Sequence, residues 1–410
     1  MRRLLAAGAV LLVLVAAPAA GAWTKLTGDT LQNIVDPSVV VLGDTGTELI
    51  AYDEPQAGNL KVIRGNNTVT LASGLPFVGD AQILLTDGTL LLYAGEGTGV
   101  VPYGSTDEGA SWVTGKPLPG TKTGDVQAVA FLAGGTPIFS QDGTGFIDVF
   151  NGLTGGLSLN AFPYCCGYAE SLAVDSTGYA QIAFWSNATG QSGYLYGPLG
   201  GPYVNLTGGK ESLANDERVP LVADGAGNTF LGWQTGYPDA NAFIVNTYRG
   251  GKQVHSVRFA HAFKQPDPHM ALSVDAAGRL WALWTQDGAV WGARSRSQGA
   301  HFGAAVHVKA PGSVYQLEAA GLPNGSVDAV INTGSNLQDQ RLLPGLTVKA
   351  TKGSARVLDD GFPVAGATVK GGGKTLKTNA AGSVSLAGVK PHAPMAVSAP
   401  GYTPTGFTAP

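Results

Sequence analysis

A chain of 410 residues that is 44% apolar can bury a large core, and a net charge of −4 with 13% charged residues argues against nucleic acid, which needs basic patches. Its 60 glycines beside an ordinary proline content point to many tight turns and exclude collagen and low-complexity disorder. No heptads or long helical periodicity occur, so short strands are the elements to expect.

Residues 1–22 form a processing signal. Met1-Arg2-Arg3 is a basic start, Leu4 to Ala17 an apolar run, and Ala20-Gly21-Ala22 an A-x-A cleavage site before Trp23. The run is too short and too rich in small residues for a membrane span, and no second candidate follows. The mature chain is expected to be exported, extracellular or periplasmic, without a span after cleavage, and monomeric.

From residue 23 to residue 350 one unit recurs. It is clearest over residues 267–303, where four short apolar or alternating segments carry the period-two signal of strands, here named A to D. The A–B turn is marked by Asp44-Thr-Gly46, Asp87-Gly88, Gly134-Gly135, Asp175-Ser-Thr-Gly178, Asp224-Gly-Ala-Gly227, Asp275-Ala-Ala-Gly278 and Asn324-Gly325. Asp and Asn bond the backbone two residues on, and Gly accepts positive φ. Strand B follows each turn and ends on Tyr52, Tyr93, Phe139, Trp185, Trp233 or Trp284, with Ile331 in the last copy. Seven copies spaced by roughly 40 to 50 residues predict an all-β fold, a β-propeller of seven four-stranded antiparallel blades, with six as the alternative count. Trp23 to Gly28 is patterned like Val204 to Gly208, a D strand, and is expected to complete the last blade; the alternative is that Leu346 to Ala350 does so.

The second unit carries Ser105-Thr-Asp107-Glu-Gly109-Ala-Ser-Trp112, an S-x-D-x-G-x-x-W motif between strands C and D. In residues and in hairpin position it resembles the Asp-box of sialidase-like β-propellers. A decayed copy, Ser295 to Phe302, has Ser297 in place of Asp. The resemblance implies a fold element remote from the active face, with Ser and Asp satisfying hairpin N–H groups, Gly taking the turn angle and the aromatic packing beneath. It does not bring the sialidase chemistry with it. That family clamps a carboxylate with three arginines and uses a Tyr nucleophile with a Glu partner and an Asp acid. No Arg lies near Asp36-Pro37-Ser38, where its first-blade motif would fall, and Arg218-Val219-Pro220 is a look-alike in the fifth unit.

The fourth unit begins with Tyr164-Cys165-Cys166-Gly167, the chain's two cysteines. In an exported protein the pair has three readings: a strained vicinal disulfide, intermolecular bridges, and thiols or a metal pair. The vicinal disulfide, a rigid loop device, is favoured.

After the seventh unit the pattern changes. Gly361-Phe-Pro-Val-Ala-Gly-Ala-Thr-Val369, Thr378-Asn-Ala-Ala-Gly382 and a terminal Gly401-Tyr402 resemble the carboxypeptidase regulatory-like domain. The resemblance implies a non-catalytic transthyretin-like or immunoglobulin-like β-sandwich, and residues 351–410 are assigned to it and its tail.

In a propeller the loops entering strand A and those joining B to C share the face where ligands usually bind. The strand-A entrance holds Asp36, Asp80, Asp125, Glu170, Asp216 and Asp267, with Gln316 in the last unit; Arg218 and His269 stand beside two of them. The ring has two readings. It is a cation or polyol site, with Ca2+ the one cofactor considered, or each Asp caps its own loop; the second is favoured because a repeat copies its structural residues. Trp185, Trp233 and Trp284 stack on sugars or pack blade on blade, packing being favoured. The histidines lack zinc spacing, so no catalytic or cofactor-binding residue is assigned. The sequence therefore suggests a secreted, non-enzymatic scaffold recognising a glycan or another cell-envelope component, with a secreted glycan-active hydrolase or lyase lacking the arginine triad as the alternative.

Overall fold

The computed structural model describes residues 22–28, 37–43, 45–86, 88–142, 146–162, 166–190, 192–210, 218–259 and 268–410. The processing signal up to Gly21, the turn residues Asp44 and Asp87, the ring positions Asp36, Asp216 and Asp267, and Cys165 with its proposed pairing lie outside the described residues. No helix occurs among the described residues, and so none is long and apolar enough to cross a membrane.

Seven four-stranded antiparallel sheets make the propeller. Blade 1 is Ser38–Val41, Glu48–Glu54, Asn59–Arg64 and Asn67–Ala72; blade 2 is Val78–Thr86, Thr89–Glu96, Gly99–Ser105 and Val113–Thr114. Blade 3 is Val126–Phe131, Pro137–Asp142, Ile147–Asn151 and Leu157–Phe162; blade 4 is Gly167–Val174, Ala180–Ser186, Gly193–Pro198 and Val204–Asn205. Blade 5 is Leu221–Ala223, Asn228–Thr235, Ala242–Arg249 and Lys252–Phe259; blade 6 is Met270–Val274, Leu280–Gln286, Ala289–Ser295 and Val306–Lys309. Blade 7 takes Gln316–Gly321, Val327–Asn332 and Leu337–Leu342 from late in the chain and Thr24–Lys25 from its start. Each inner strand neighbours the next, and that of blade 7 neighbours that of blade 1, so the ring is closed.

The turns form as their residues dictate. Asp224 Oδ1 accepts the N–H groups of Ala226 and Asn228, both at 2.9 Å, and Asp275 Oδ1 those of Ala277 at 2.9 Å and Arg279 at 3.0 Å. Gly227 and Gly278 follow at φ 84° and 72°, where a side chain would be strained. A sheet with two apolar faces must bury both, and here each pair of neighbouring blades shares its own cluster. The strand-B aromatics fill them. Trp284 packs between Phe243 and Phe259, and Trp233 beside Tyr194, so both serve blade packing.

The closing strand is short. Thr24 pairs with Asp339 and Lys25 with Gln338; beyond them Leu26 N–H donates to the Leu337 carbonyl at 2.9 Å and Leu337 N–H to Thr27 Oγ1 at 2.9 Å. Trp23 Nε1 donates to the Lys309 carbonyl of blade 6 at 2.8 Å. Thr347–Thr351, the other candidate for closure, pairs instead with Ser354–Asp359. It opens a second unit of two four-stranded sheets. One holds Thr347–Thr351, Ser354–Asp359, Phe362–Pro363 and Ser383–Ser385; the other Lys374–Lys377, Thr368–Gly371, Pro394–Ser398 and Thr405–Thr408. Val357 and Val384 of the first sheet share one core with Val369 and Val397 of the second.

Candidate functional site

The inner strands surround an axial cavity of about 950 Å³, whose walls include Val40, Leu84, Leu221, Leu272 and Ala319. A second lobe of about 550 Å³ continues it toward Ala128 and Leu172. Asp224, Asp275 and Pro323 of the A–B turns line one end, and Arg218, just before the inner strand of blade 5, lines the other.

Arg218 crosses the axis. Its guanidinium donates to Gln82 Oε1 of blade 2, to the Pro37 carbonyl at 3.0 Å at the entrance to blade 1, and to Glu318 Oε1 of blade 7, with which it forms an ion pair. The five-donor fork of arginine can reach three walls at once, which an ammonium on a flexible stem does poorly. Arg218→Met should lower stability by about 1.5–3 kcal/mol, the usual worth of hydrogen bonds to a charged group. Adding Glu318→Gln should recover part of it, since that removes the stranded carboxylate. A denaturant-based double-mutant cycle measures the coupling, and additive losses would show that the pair is not coupled.

Two described members of the acidic ring, Asp80 and Asp125, staple blades 2 and 3 together. Asp125, at the entrance to blade 3, accepts the Asp80 N–H of blade 2 with Oδ1 at 3.1 Å, and Gln127 Nε2 reaches Asp80 Oδ2 at 3.4 Å. Asp80 and Glu170 both sit where the register of the inner strand shifts, between Val78 and Ala81 and between Tyr168 and Ser171. Such a bulge re-aims the side chains at a strand entrance. The Asp125 contact leaves room for glycine alone at position 79, where an added Cβ would stand 2.3 Å from Asp125 Oδ1. Glu170, Asp80 and His269 are buried, and the His269 N–H donates to Thr285 Oγ1 at 2.9 Å.

Gln82 and Glu318, the partners of Arg218, escaped the reading of the repeat. The signal was two residues further on. Counting from the ring gives Ser38, Gln82, Gln127, Leu172, Arg218, His269 and Glu318, six polar residues of seven at one repeat position. Residues two apart on a strand share a face. Ser38 is a staple too, its Oγ accepting the Ile83 N–H of blade 2 at 3.1 Å.

Away from the axis, Ser105 Oγ accepts the Gly109 N–H at 2.8 Å, and Asp107 Oδ1 the Ser111 N–H at 2.9 Å. The Ser111 hydroxyl and N–H, with the Ser105 hydroxyl, hold the Asp107 carboxyl down at about 2. Trp112 Nε1 donates to the Gly109 carbonyl at 3.1 Å. The motif is thus spent on its own hairpin. Cys166 has φ 82°, a left-handed backbone unusual for a residue other than glycine. Among the described residues, Glu48, Asp328 and Asp339 lie within 4.8 Å of one another, as a shared cation would require. Arg341 already answers Asp328 with hydrogen bonds of 2.8 and 2.7 Å.

No protein-family model and no curated protein matches the chain. Among solved structures it is similar to a streptogramin B lyase, at 10% identity over 78% of this chain and 96% of that one, with a TM-score of 0.51. It is similar to a virginiamycin B lyase from Staphylococcus aureus at 12% identity, over 78% of this chain and 98% of that one, with a TM-score of 0.50. A Hadza microbial sialidase aligns at 15% identity over 76% of this chain and 66% of that one, with a TM-score of 0.42. At 10–12% identity the likeness to the two lyases is one of fold, that of a β-propeller.

Proposed function

We propose that the chain is a secreted, non-enzymatic propeller that takes a glycan or another cell-envelope component into its axial cavity. The observation that carries this reading is the cavity itself, crossed at one end by Arg218. Its volume of about 950 Å³ lies at the upper end of the range usual for small-molecule sites. Two charged groups at that end are engaged between blades, Arg218 by Glu318 and Asp125 by the Asp80 N–H, which is how a scaffold uses charge. Export rests on the start of the chain, Met1 to Ala22. Residues 351–410, with their resemblance to carboxypeptidase regulatory-like domains, serve as a spacer or adhesion module.

The mature chain should be retained by a subset of a glycan array, while a panel of fluorogenic glycosides is turned over no faster than in buffer. Leu84→Trp, which narrows the cavity next to Gln82, should abolish retention and leave the melting temperature near that of the parent. Turnover lost in Leu84→Trp would mean a hydrolase or lyase at the same cavity. Retention that survives Leu84→Trp would remove the axis as the site.

A further inference from the structure

The C–D hairpin of blade 6 repeats that of blade 2 without its carboxylate, Ser297 Oγ accepting the His301 N–H at 3.0 Å where Asp107 Oδ1 accepts that of Ser111 at 2.9 Å. Ser295 Oγ accepts the Gly299 N–H at 2.9 Å, as Ser105 Oγ accepts that of Gly109 at 2.8 Å. Gln298 and Gly299, at φ 54° and 78°, copy Glu108 and Gly109, at 59° and 82°. Where blade 2 has the Asp107 carboxylate, blade 6 has Ser297. A carboxylate is nevertheless present. Asp360 Oδ2 accepts the Arg296 N–H at 2.7 Å, the Ser297 N–H at 3.0 Å and the Ser297 hydroxyl at 2.7 Å.

Asp360 belongs to the second unit, in the turn between Ser354–Asp359 and Phe362–Pro363, and its own φ of 48° shows that the turn presents it under constraint. Its neighbour enters beside it. Asp359, fully buried, pairs with Arg294 and lies 3.5 Å from Arg296 Nη1, and the Tyr402 hydroxyl donates to it at 3.2 Å. Arg296 stacks over the Phe362 ring, 4.7 Å from its centroid. Arg294 also donates to the Gly325 carbonyl of blade 7 at 2.6 Å, so the contact ties two blades to the second unit. Gly303 closes in on both aspartates, since an added Cβ would stand 3.3 Å from Asp359 Oδ1 and from the Asp360 N–H nitrogen. Residues 347–410 contain seven Lys and Arg and no acidic residue besides Asp359 and Asp360. Both aspartates of that unit therefore contact the propeller, Asp359 also accepting from Tyr402 of its own unit.

We propose that the blade 6 hairpin is a docking site for the Asp359-Asp360 turn, and that this carboxylate latch, rather than the connecting segment 343–346, holds the second unit on the propeller. The partner it fits is an acidic turn carrying a following aromatic, supplied here by the same chain. Because Arg296 and Gln298 line the axial cavity, the latch also decides whether Arg296 is engaged by Asp359 or faces the cavity mouth.

The test uses the full chain. Ser297→Asp gives the hairpin a carboxylate of its own, as in blade 2, and sets it against Asp360. Asp359→Asn with Asp360→Asn attacks the latch from the other side. Each should split one calorimetric transition into two, leave the propeller transition within a few degrees of the parent, and speed thermolysin cleavage within residues 343–410 by roughly tenfold or more, as expected when cleavage follows the population of the open form. The scattering radius should grow in both. Should Ser297→Asp fail to fold by circular dichroism, the Asp359/Asp360 pair decides alone. A single transition with parental cleavage and scattering in the aspartate double variant would overturn the proposal.

Discussion

Trp281→Ala should lower the unfolding free energy by about 3–5 kcal/mol, the cost of removing a large aromatic from a core. Trp281 has no exposed surface, and it packs with Leu283 and Val290 of blade 6 against Leu317, Val327 and Leu342 of blade 7. Its Nε1 donates to the Gly325 carbonyl at 3.3 Å, in the next A–B turn. A propeller cannot collapse around such a void, because both sheets are held in register by their other neighbours. Trp281→Phe keeps much of the packing and should recover more than half of the loss. Urea unfolding followed by far-UV circular dichroism measures both, and a loss below about 1 kcal/mol for the alanine would show that the ring relaxes to fill the gap.

Stability should also fall as the pH rises from 4.5 to about 8, and Glu48→Gln should remove most of that slope. Glu48 opens strand B of blade 1 at the seam with blade 7, beside Asp328 and Asp339. Its Oε1 is buried and without a hydrogen-bond partner. Burial first, then the charges of Asp328 and Asp339, push its carboxyl up to about 8, with Arg341 pulling the other way. In the unfolded chain the proton leaves near the ordinary value of 4.5, whereas the folded chain keeps it until about 8. Between those values the folded state binds more protons, so stability falls by up to about 1.4 kcal/mol per pH unit. Asp339, raised by burial and by Asp328, adds a slope of the same sign. Gln has the shape of the protonated acid and does not titrate. The variant should match the parent at low pH and exceed it by roughly 2–4 kcal/mol at pH 8. Parallel stability curves for the two proteins across this range would refute the assignment.

The blade count and the closure were legible because their signals are local and repeated. An Asp that bonds the N–H two and four residues on, followed by a Gly of positive φ, needs no tertiary help to make its turn, and Asp175, Asp224 and Asp275 all do so. The Ser105 to Trp112 hairpin was legible for the same reason, since its carboxylate serves residues within four positions of itself. The start of the chain could be assigned to the last blade because Trp23 to Gly28 has the pattern of a D strand.

By itself the sequence determined what neighbours within a few residues settle: turns, strand alternation, the repeat period and the change of pattern after the seventh unit. Tertiary structure alone decided which polar residues meet. Arg218 finds Glu318 and Gln82 at separations of 100 and 136 residues, and Ser297 finds Asp360 at 63. The physical reason is the closed ring. It brings the first strands of all blades to one axis, so Arg218 meets Gln82, the Pro37 carbonyl and Glu318 only when the circle is complete, while Ser297 meets Asp360 only through the seating of the second unit on blade 6.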